Sequence, residues 1–215
     1  MEIKVMKRVL DRNMDMAARV REQLESKNVC MINMISSPGA GKTSLLEKIC
    51  ESLSGERRIA VIEGDVATDR DAQRLKKYGV PIVLINTDGG CHLDSNSIDI
   101  AMREFDLDDL DVIFVENVGN LVCPSHFDLG EKFKLALVST TEGDDKPVKY
   151  PMLFREAGAV VLNKTDLLTH TDFNYKSFLT DLNHVNPGIP LFELSCRTGH
   201  GLDIFMEWVR TETGN

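Results

Sequence analysis

Apolar positions fall along this chain in two rhythms. Between residues 4 and 26, Val5, Val9, Met16, Val20 and Leu24 recur among charges, which predicts an amphipathic helix with one buried face. From residue 29 the pattern changes to short, dense apolar runs: VCMINMI (29–35), RIAVIEGD (58–65), PIVLINT (81–87), DVIFVENVG (111–119), LALVSTTEGD (135–144), AVVLNKTD (159–166) and IPLFELS (189–195). Most are dense in Val, Ile and Leu without strict alternation, as expected of strands covered on both faces. Helical stretches fill the intervals 42–54, 68–78, 95–105, 151–157, 173–185 and 201–211. Strand alternating with helix predicts an α/β fold, a mainly parallel sheet of about seven strands with helices on both faces. The expected organisation is an N-terminal helical segment, residues 1–28, packed on a main domain, residues 29–215. No linker, repeat or low-complexity tract interrupts it.

One interval carries chemistry. MINMISSPGAGKTSLL sets a strand, a loop and a helix in order, and the loop Ser36 to Thr43 matches a P-loop except that Ser36 stands at the first glycine. Gly39 and Gly41 let backbone N–H groups of the loop, which runs through Ser37, Pro38 and Ala40, turn toward phosphate oxygens, ahead of a helix whose positive end faces them. Lys42 reaches the terminal phosphates, the Thr43 hydroxyl suits Mg²⁺, and Ser44 follows in the first helical turn. The main domain is therefore expected to be a P-loop NTPase.

The base is read elsewhere. Asn163-Lys164-Thr165-Asp166 follows a buried-type strand and matches N-K-x-D, the guanine-reading motif of GTPases. Asp166 can accept from the two guanine donors that adenine does not present, and its unpaired carboxylate would penalise adenine by about a few kcal/mol. Asn163 braces the loop and the Lys164 stem covers the base. Ser195-Cys196-Arg197 resembles the loop that closes over guanine, with Cys196 and Arg197 replacing its usual Ala and Lys. Between these motifs lie two acidic strand ends, Glu63-Gly64-Asp65 and Glu116-Asn117-Val118-Gly119. Asp65 and Glu116 are expected around Mg²⁺, with Asp65 orienting water, and Gly119 is expected to offer a backbone N–H to the γ-phosphate. No arginine finger is evident, so slow intrinsic GTP hydrolysis to GDP is expected. Asp69, Arg70 and Asp71 read as a solvated first helical turn.

GGCHLD (89–94) has no place in a plain nucleotide enzyme. Taken alone, a cysteine in such a composition is a small buried hydrophobe and a histidine a surface group. The other reading is that Cys91 and His92, behind a strand of the parallel set, meet Cys123 of NLVCPSHFDLGE at the rim of the P-loop. Two thiolates and an imidazole suit Ni²⁺ or Zn²⁺, and three ligands leave a position open. Neighbouring residues on an extended chain point apart, so sharing one ion requires a turn at Gly89-Gly90. His126 is a possible further ligand. Cys30 and Cys50 read as core, and His170, His184 and His200 as structural.

Composition narrows the classes. The chain has 215 residues, 42% hydrophobic and 27% charged, with a formal net charge of -9. That excess of acid argues against neutralising nucleic-acid phosphates or docking on an anionic membrane. The charged N-terminus lacks an export-signal apolar core, and 5 scattered cysteines suggest reduced thiols, so the expected location is cytoplasmic.

Together, SSPGAGKTSLLE, EGDVATDRDAQR, GGCHLD, ENVGNLVCP, FDLGE, EGDDKPVKYP and LNKTDLL resemble the HypB hydrogenase-maturation GTPases, of the signal-recognition and accessory-factor class. The likeness runs from about Asn33 to the C-terminus. It implies a nickel-inserting GTPase for [NiFe] hydrogenase that forms a nucleotide-linked homodimer, with a metal site at the dimer interface. The matching positions are Cys91, His92 and Cys123. Implied partners are a nickel-binding chaperone and the hydrogenase large subunit. The N-terminal cysteine cluster and histidine-rich tract of some relatives have no counterpart here. Rival readings are a urease-accessory-type nickel GTPase, a regulatory GTPase without a metal role, and a small-molecule kinase. Lys146 and Lys149, in EGDDKPVKYP, receive no role from the residues alone.

Overall fold

A computed structural model describes the backbone of residues 4–65 and 70–214 and the side chains of 10–64 and 73–214. The strands are β1 (Cys30–Ser36), β2 (Ile59–Asp65), β3 (Ile82–Asn86), β4 (Val112–Glu116), β5 (Phe133–Ser139), β6 (Ala157–Asn163) and β7 (Leu191–Glu193). They form one sheet in the order β3-β2-β4-β1-β5-β6-β7, and every recorded pairing is parallel. The helices are α1 (Lys4–Ser26), α2 (Lys42–Leu53), α3 (Arg70–Leu75), α4 (Ser95–Met102), α5 (Lys146–Lys149), α6 (Pro151–Glu156), α7 (Tyr175–Val185) and α8 (Leu202–Thr213).

The dense apolar runs become strands whose two faces feed different cores. On β4, Val112 and Phe114 join α2 and α8 on one side, while Ile113 and Val115 join α1 and α4 on the other. On β5, Leu135 and Leu137 face α2 and α8, and Ala136 and Val138 face α6 and α7. On these central strands both faces are dry, so both need apolar side chains and the alternation is invisible in sequence. The edge strands β3 and β7 are only partly covered, with Leu84 39% exposed.

Several boundaries differ from expectation. The 68–78 stretch splits into α3 and a 3₁₀ turn at Lys76–Tyr78, closed by Gly79 with φ 70°. The 95–105 stretch stops at Met102. Asn174 caps α7 by accepting from the Ser177 N–H at 3.1 Å, so that helix starts two residues later than its periodicity. The polar segment after β5 contains the short α5.

The helix α1 buries Asn13, Ala17, Val20 and Leu24. Met16, expected on the buried face, is only half-buried, and Val5 and Val9 lie outside the described side chains. The seam is close: a Cβ at Gly130, whose φ is +88°, would lie 2.7 Å from Val20 Cγ1 and 2.8 Å from the Ala17 carbonyl. Only glycine admits both that backbone and that approach. No helix among the described residues is long and apolar enough to cross a membrane.

Parallel strands put all their carboxyl ends at one edge. Register aligns Met34 and Glu63 each with Glu116, and Ser139 with Asn163. The P-loop, the acidic strand ends and N-K-x-D therefore share a rim, where ligands bind in open α/β sheets.

Candidate functional site

The phosphate loop leaves β1 at Ser36 and enters α2 at Lys42, passing through left-handed backbone at Gly39 (φ 78°) and Gly41 (φ 105°). A Cβ on Gly41 would lie 2.5 Å from the Asn163 amide nitrogen. Asn163 is the brace: its amide donates to the Ala40 carbonyl at 3.0 Å, and its oxygen accepts from the N–H of Lys164 at 2.8 Å and of Cys196 at 3.2 Å. One carboxamide thus joins the P-loop, N-K-x-D and the last loop. The backbone N–H of Cys196 is directed to Asn163.

Ser36 has a use that the motif does not reveal. Its hydroxyl accepts from Lys42 Nζ at 2.9 Å and donates to the Ser37 carbonyl at 2.7 Å. The Thr43 hydroxyl donates to Glu116 Oε1 at 2.8 Å, with both residues buried. These are hard oxygen donors of the kind Mg²⁺ takes. Asp65, the expected third group, has its side chain outside the described residues, as does Asp71, and Asp69 lies outside them altogether. The Ser37 hydroxyl donates to Glu142 Oε1, while Glu142 Oε2 accepts from the Ser139 N–H at 3.0 Å. Glu142 opens EGDDKPVKYP, but its spacing does not mark it as a partner of the P-loop. Lys146 folds back to the Glu142 carbonyl, and Lys149 pairs with Asp145 at 2.5 Å, so both lysines shape this segment.

A cavity of about 550 Å³ lies here, lined by Lys42, Thr43, Glu63, Glu116 and Gly119 among others. Arg74, on α3, also lines it and pairs with Glu47 at 2.5 Å and the Ser44 hydroxyl at 3.2 Å. A Cβ at Gly119 would lie 3.0 Å from Pro38 Cγ, so the loop after β4 lies against the P-loop. A second cavity of about 300 Å³ is lined by Asn163, Lys164, Asp166, Ser195, Cys196 and Arg197. Lys164, with φ 60°, stands between the two and donates to the Gly39 carbonyl at 2.6 Å. Asp166 accepts from the Ser195 hydroxyl at 2.6 Å, and Arg197 Nη1 stands 3.9 Å from its other oxygen. The two cavities share Gly41, Ser44 and Lys164 in their linings, so the P-loop and the N-K-x-D segment border one continuous region.

Beside it, Cys91, His92 and Cys123 form the one metal-type group found among the described residues, their ligand atoms within 4.8 Å of one another. The required turn is present: Asp88 and Gly89 have φ of 48° and 88°, and the Gly90 N–H donates to the Thr87 carbonyl at 2.8 Å. This turn is centred one residue earlier than the expected Gly89-Gly90, and the chain bends again at Cys91 and His92, where Cys91 Sγ lies 3.4 Å from His92 Nδ1. The His92 ring stacks on Phe127 at 3.8 Å. Burial pulls its imidazole below the ordinary value, whereas the hydrogen bond with Cys123 raises the Cys91 thiol. The two ligand-bearing loops are tied together by Asn120, which donates to the Cys91 carbonyl at 3.3 Å and accepts from the Val122 N–H at 2.9 Å.

The tie from α1 is stronger. Buried Asn13 donates to the Asp128 carbonyl at 2.8 Å and accepts from the Ser95 N–H at 2.9 Å. Ser95 follows the Cys91-His92 loop and Asp128 follows the Cys123 turn, so one side chain spans both. An asparagine inside an amphipathic helix gives no sign of this. His126 stands outside the group and lines a different cavity with Asp128 and Glu131. Cys50 is buried and Cys30 and Cys196 half-buried; burial pushes their thiols up to about 12, 11 and 11. His170, His184 and His200 are exposed and apart from the group.

The chain is similar to known proteins over most of its length. The profile of the CobW/HypB/UreG nucleotide-binding domain matches residues 30–193. Hydrogenase maturation factor HypB of Azotobacter vinelandii is 47% identical over 208 residues, covering 96% of this chain and 68% of that protein. HypB from Helicobacter pylori, solved in complex with nickel, superposes with a TM-score of 0.88 at 35% identity, covering 94% of this chain and 95% of that one. HypB from Archaeoglobus fulgidus superposes with a TM-score of 0.89 at 33% identity, over 95% of this chain and 100% of that one. Sequence and architecture agree along nearly the whole length, and the chain belongs to the HypB hydrogenase maturation factors.

Proposed function

We propose that this protein is a GTP-hydrolysing metallochaperone that takes nickel, or zinc, on Cys91, His92 and Cys123 and supports nickel delivery to [NiFe] hydrogenase. The observation that carries the reading is the convergence of two thiols and an imidazole within 4.8 Å, on the loops that follow β3 and β4, the second of which lines the phosphate cavity through Glu116. Soft thiolates with an imidazole suit a late transition-metal cargo. Three ligands leave room for water or a second copy of the chain, which fits an ion that must be handed on, and a homodimer is proposed on that ground. The nickel in the Helicobacter pylori relative supports the same cargo.

Guanine preference rests on Asp166, which lines the smaller cavity and is held by Ser195, with Asn163 and Lys164 fixing the loop. Lys42 and the Ser37–Ser44 backbone receive phosphates, and Gly119 supplies an N–H beside Pro38. Thr43, Asp65 and Glu116 would hold Mg²⁺, which on binding neutralises phosphate charge. Asp65 is the proposed residue for orienting water. The proposed partners are a nickel-binding chaperone and the hydrogenase large subunit, in the cytoplasm.

The test is nickel titration of the reduced protein with GDP and with a non-hydrolysable GTP analogue, beside Cys91→Ala and Cys123→Ala. The reading expects one nickel site lost in each variant and unequal affinities in the two nucleotide states. Unchanged stoichiometry in both variants would refute it and leave a GTPase without a metal role.

A further inference from the structure

Beneath the rim runs a file of buried polar groups that neither the nucleotide nor the metal reading uses. Asn33 on β1, Asn117 after β4, and Glu131 before β5 are 0%, 1% and 6% exposed. Polar side chains so deep in an apolar core persist only when every partner is supplied. Here they are supplied in series. Asn117 Oδ1 accepts two backbone N–H groups, from Leu93 at 3.1 Å and Val118 at 3.0 Å. Its Nδ2 donates to Asn33 Oδ1 at 3.1 Å, and Asn33 Nδ2 donates to Glu131 Oε1 at 3.2 Å. Glu131 Oε2 then accepts from the Leu129 N–H at 2.6 Å. The donors at either end dictate which way each carboxamide faces, since a flip would oppose donor to donor.

What the file joins gives it meaning. Asn117 and Val118 lie between Glu116 and Gly119 and, like them, line the phosphate cavity. Leu93 directly follows His92. A single oxygen therefore holds the phosphate-side loop and the metal-side loop at once. The Leu93 side chain is held from the other strand as well. A Cβ on Gly64, at the end of β2, would lie 2.8–3.0 Å from three Leu93 carbons. The far end of the file returns to the same histidine, because Leu129 is two residues beyond Phe127, on which the His92 ring stacks.

We propose that Asn117 is the positioning residue that makes metal affinity depend on nucleotide state, by transmitting movement of the Glu116–Gly119 segment through the Leu93 N–H to Cys91 and His92. The inference rests on the nickel reading above. Rotation of the Asn117 carboxamide must break or bend one of its two accepted bonds. The segment and the ligand loop consequently move as one unit, and any nucleotide that reorders the first repositions the second. A contact that both sites share is what coupling between them requires.

The test compares nickel affinity of the full chain, by chelator competition with GDP–Mg²⁺ and with a non-hydrolysable GTP analogue, in wild type and Asn117→Ala. Wild type should show affinities differing by about 5-fold or more. In Asn117→Ala the two affinities should fall within about twofold of each other while each remains measurable. Wild-type coupling that persists undiminished in Asn117→Ala would overturn the relay alone. No nickel bound at the Cys91, His92 and Cys123 group, or equal wild-type affinities, would overturn the parent reading and the relay with it. Should the variant fail to fold, ¹⁵N spectra of metal-free wild type decide. The Leu93 amide and Asn117 carboxamide signals should move when the analogue replaces GDP, and stationary signals would overturn the proposal.

Discussion

Asn13→Ala should weaken both the fold and the metal group from a residue far from either motif. The substitution removes the donor to the Asp128 carbonyl at 2.8 Å and the acceptor for the Ser95 N–H at 2.9 Å. Ser95 is 0% exposed, so its N–H is orphaned without water to replace the partner, which costs about 1–3 kcal/mol. Loss of the Asp128 bond adds about 1 kcal/mol. The Ser95 hydroxyl keeps the Asn13 backbone carbonyl at 2.8 Å, so no further loss is counted there. Alanine is the better helix former by about 0.6 kcal/mol, which offsets part of the loss. The net destabilisation is about 1.5–3.5 kcal/mol, and urea denaturation at fixed m reads it directly. For a chain of this size it lowers Tm by about 3–14 °C. Met14→Ala, one position along on a face that is 62% exposed, is the control and should change stability by under about 0.5 kcal/mol. Nickel affinity should fall in Asn13→Ala as well, because Asn13 spans the loops carrying Cys91-His92 and Cys123. A change as small as the control, with nickel affinity intact, would show that Asn13 ties nothing together.

Gly130→Ala should destabilise more than Gly188→Ala, although both glycines have positive φ. The first meets Val20 and the Ala17 carbonyl below 3 Å and the second meets nothing within 4 Å, so only the second is limited to about 1–2 kcal/mol of backbone strain. Equal losses by denaturation would refute the α1 seam. Alkylation near neutral pH, followed by mass spectrometry, should modify exposed Cys91 well before buried Cys50, whose thiol is pushed up to about 12, and nickel should protect Cys91. Rapid labelling of Cys50 would contradict its burial. Nickel affinity should rise steadily from pH 6.5 toward 9.0: burial holds His92 below its ordinary value, so its proton competes less, whereas the hydrogen bond with Cys123 holds the Cys91 thiol above its ordinary value and it must yield its proton to the ion. A plateau across that interval would remove the thiol from the ligand set. Asp166→Ala should weaken GDP by about 2–4 kcal/mol while leaving ADP affinity unchanged, measured by calorimetry. Parallel losses for both nucleotides would refute guanine reading by that carboxylate.

What the sequence by itself determined is what is written in contiguous strings. A P-loop, an N-K-x-D and seven buried-type runs each depend on the local order of a few residues, because a turn, a helix start or a doubly covered strand is a local demand on backbone and solvation. Their sharing of one rim followed from parallel topology, since parallel strands end on the same side. The Cys91-His92 pair was legible as two ligand types behind a glycine turn, and a bend at the pair itself sets Cys91 Sγ near His92 Nδ1. The supports were not legible. Asn13 reaches Asp128 across 115 positions and Ser95 across 82, and Asn117 reaches Asn33 across 84. A buried asparagine leaves only a gap in an apolar pattern, and the gap does not say which distant N–H or carbonyl will face it. Glu142 on Ser37 and Phe127 under His92 belong to the same class. Only packing the helices on the sheet decides those pairings, because a buried polar group takes whatever complementary partner the closed core brings within reach, and that choice has no periodicity for a sequence to display.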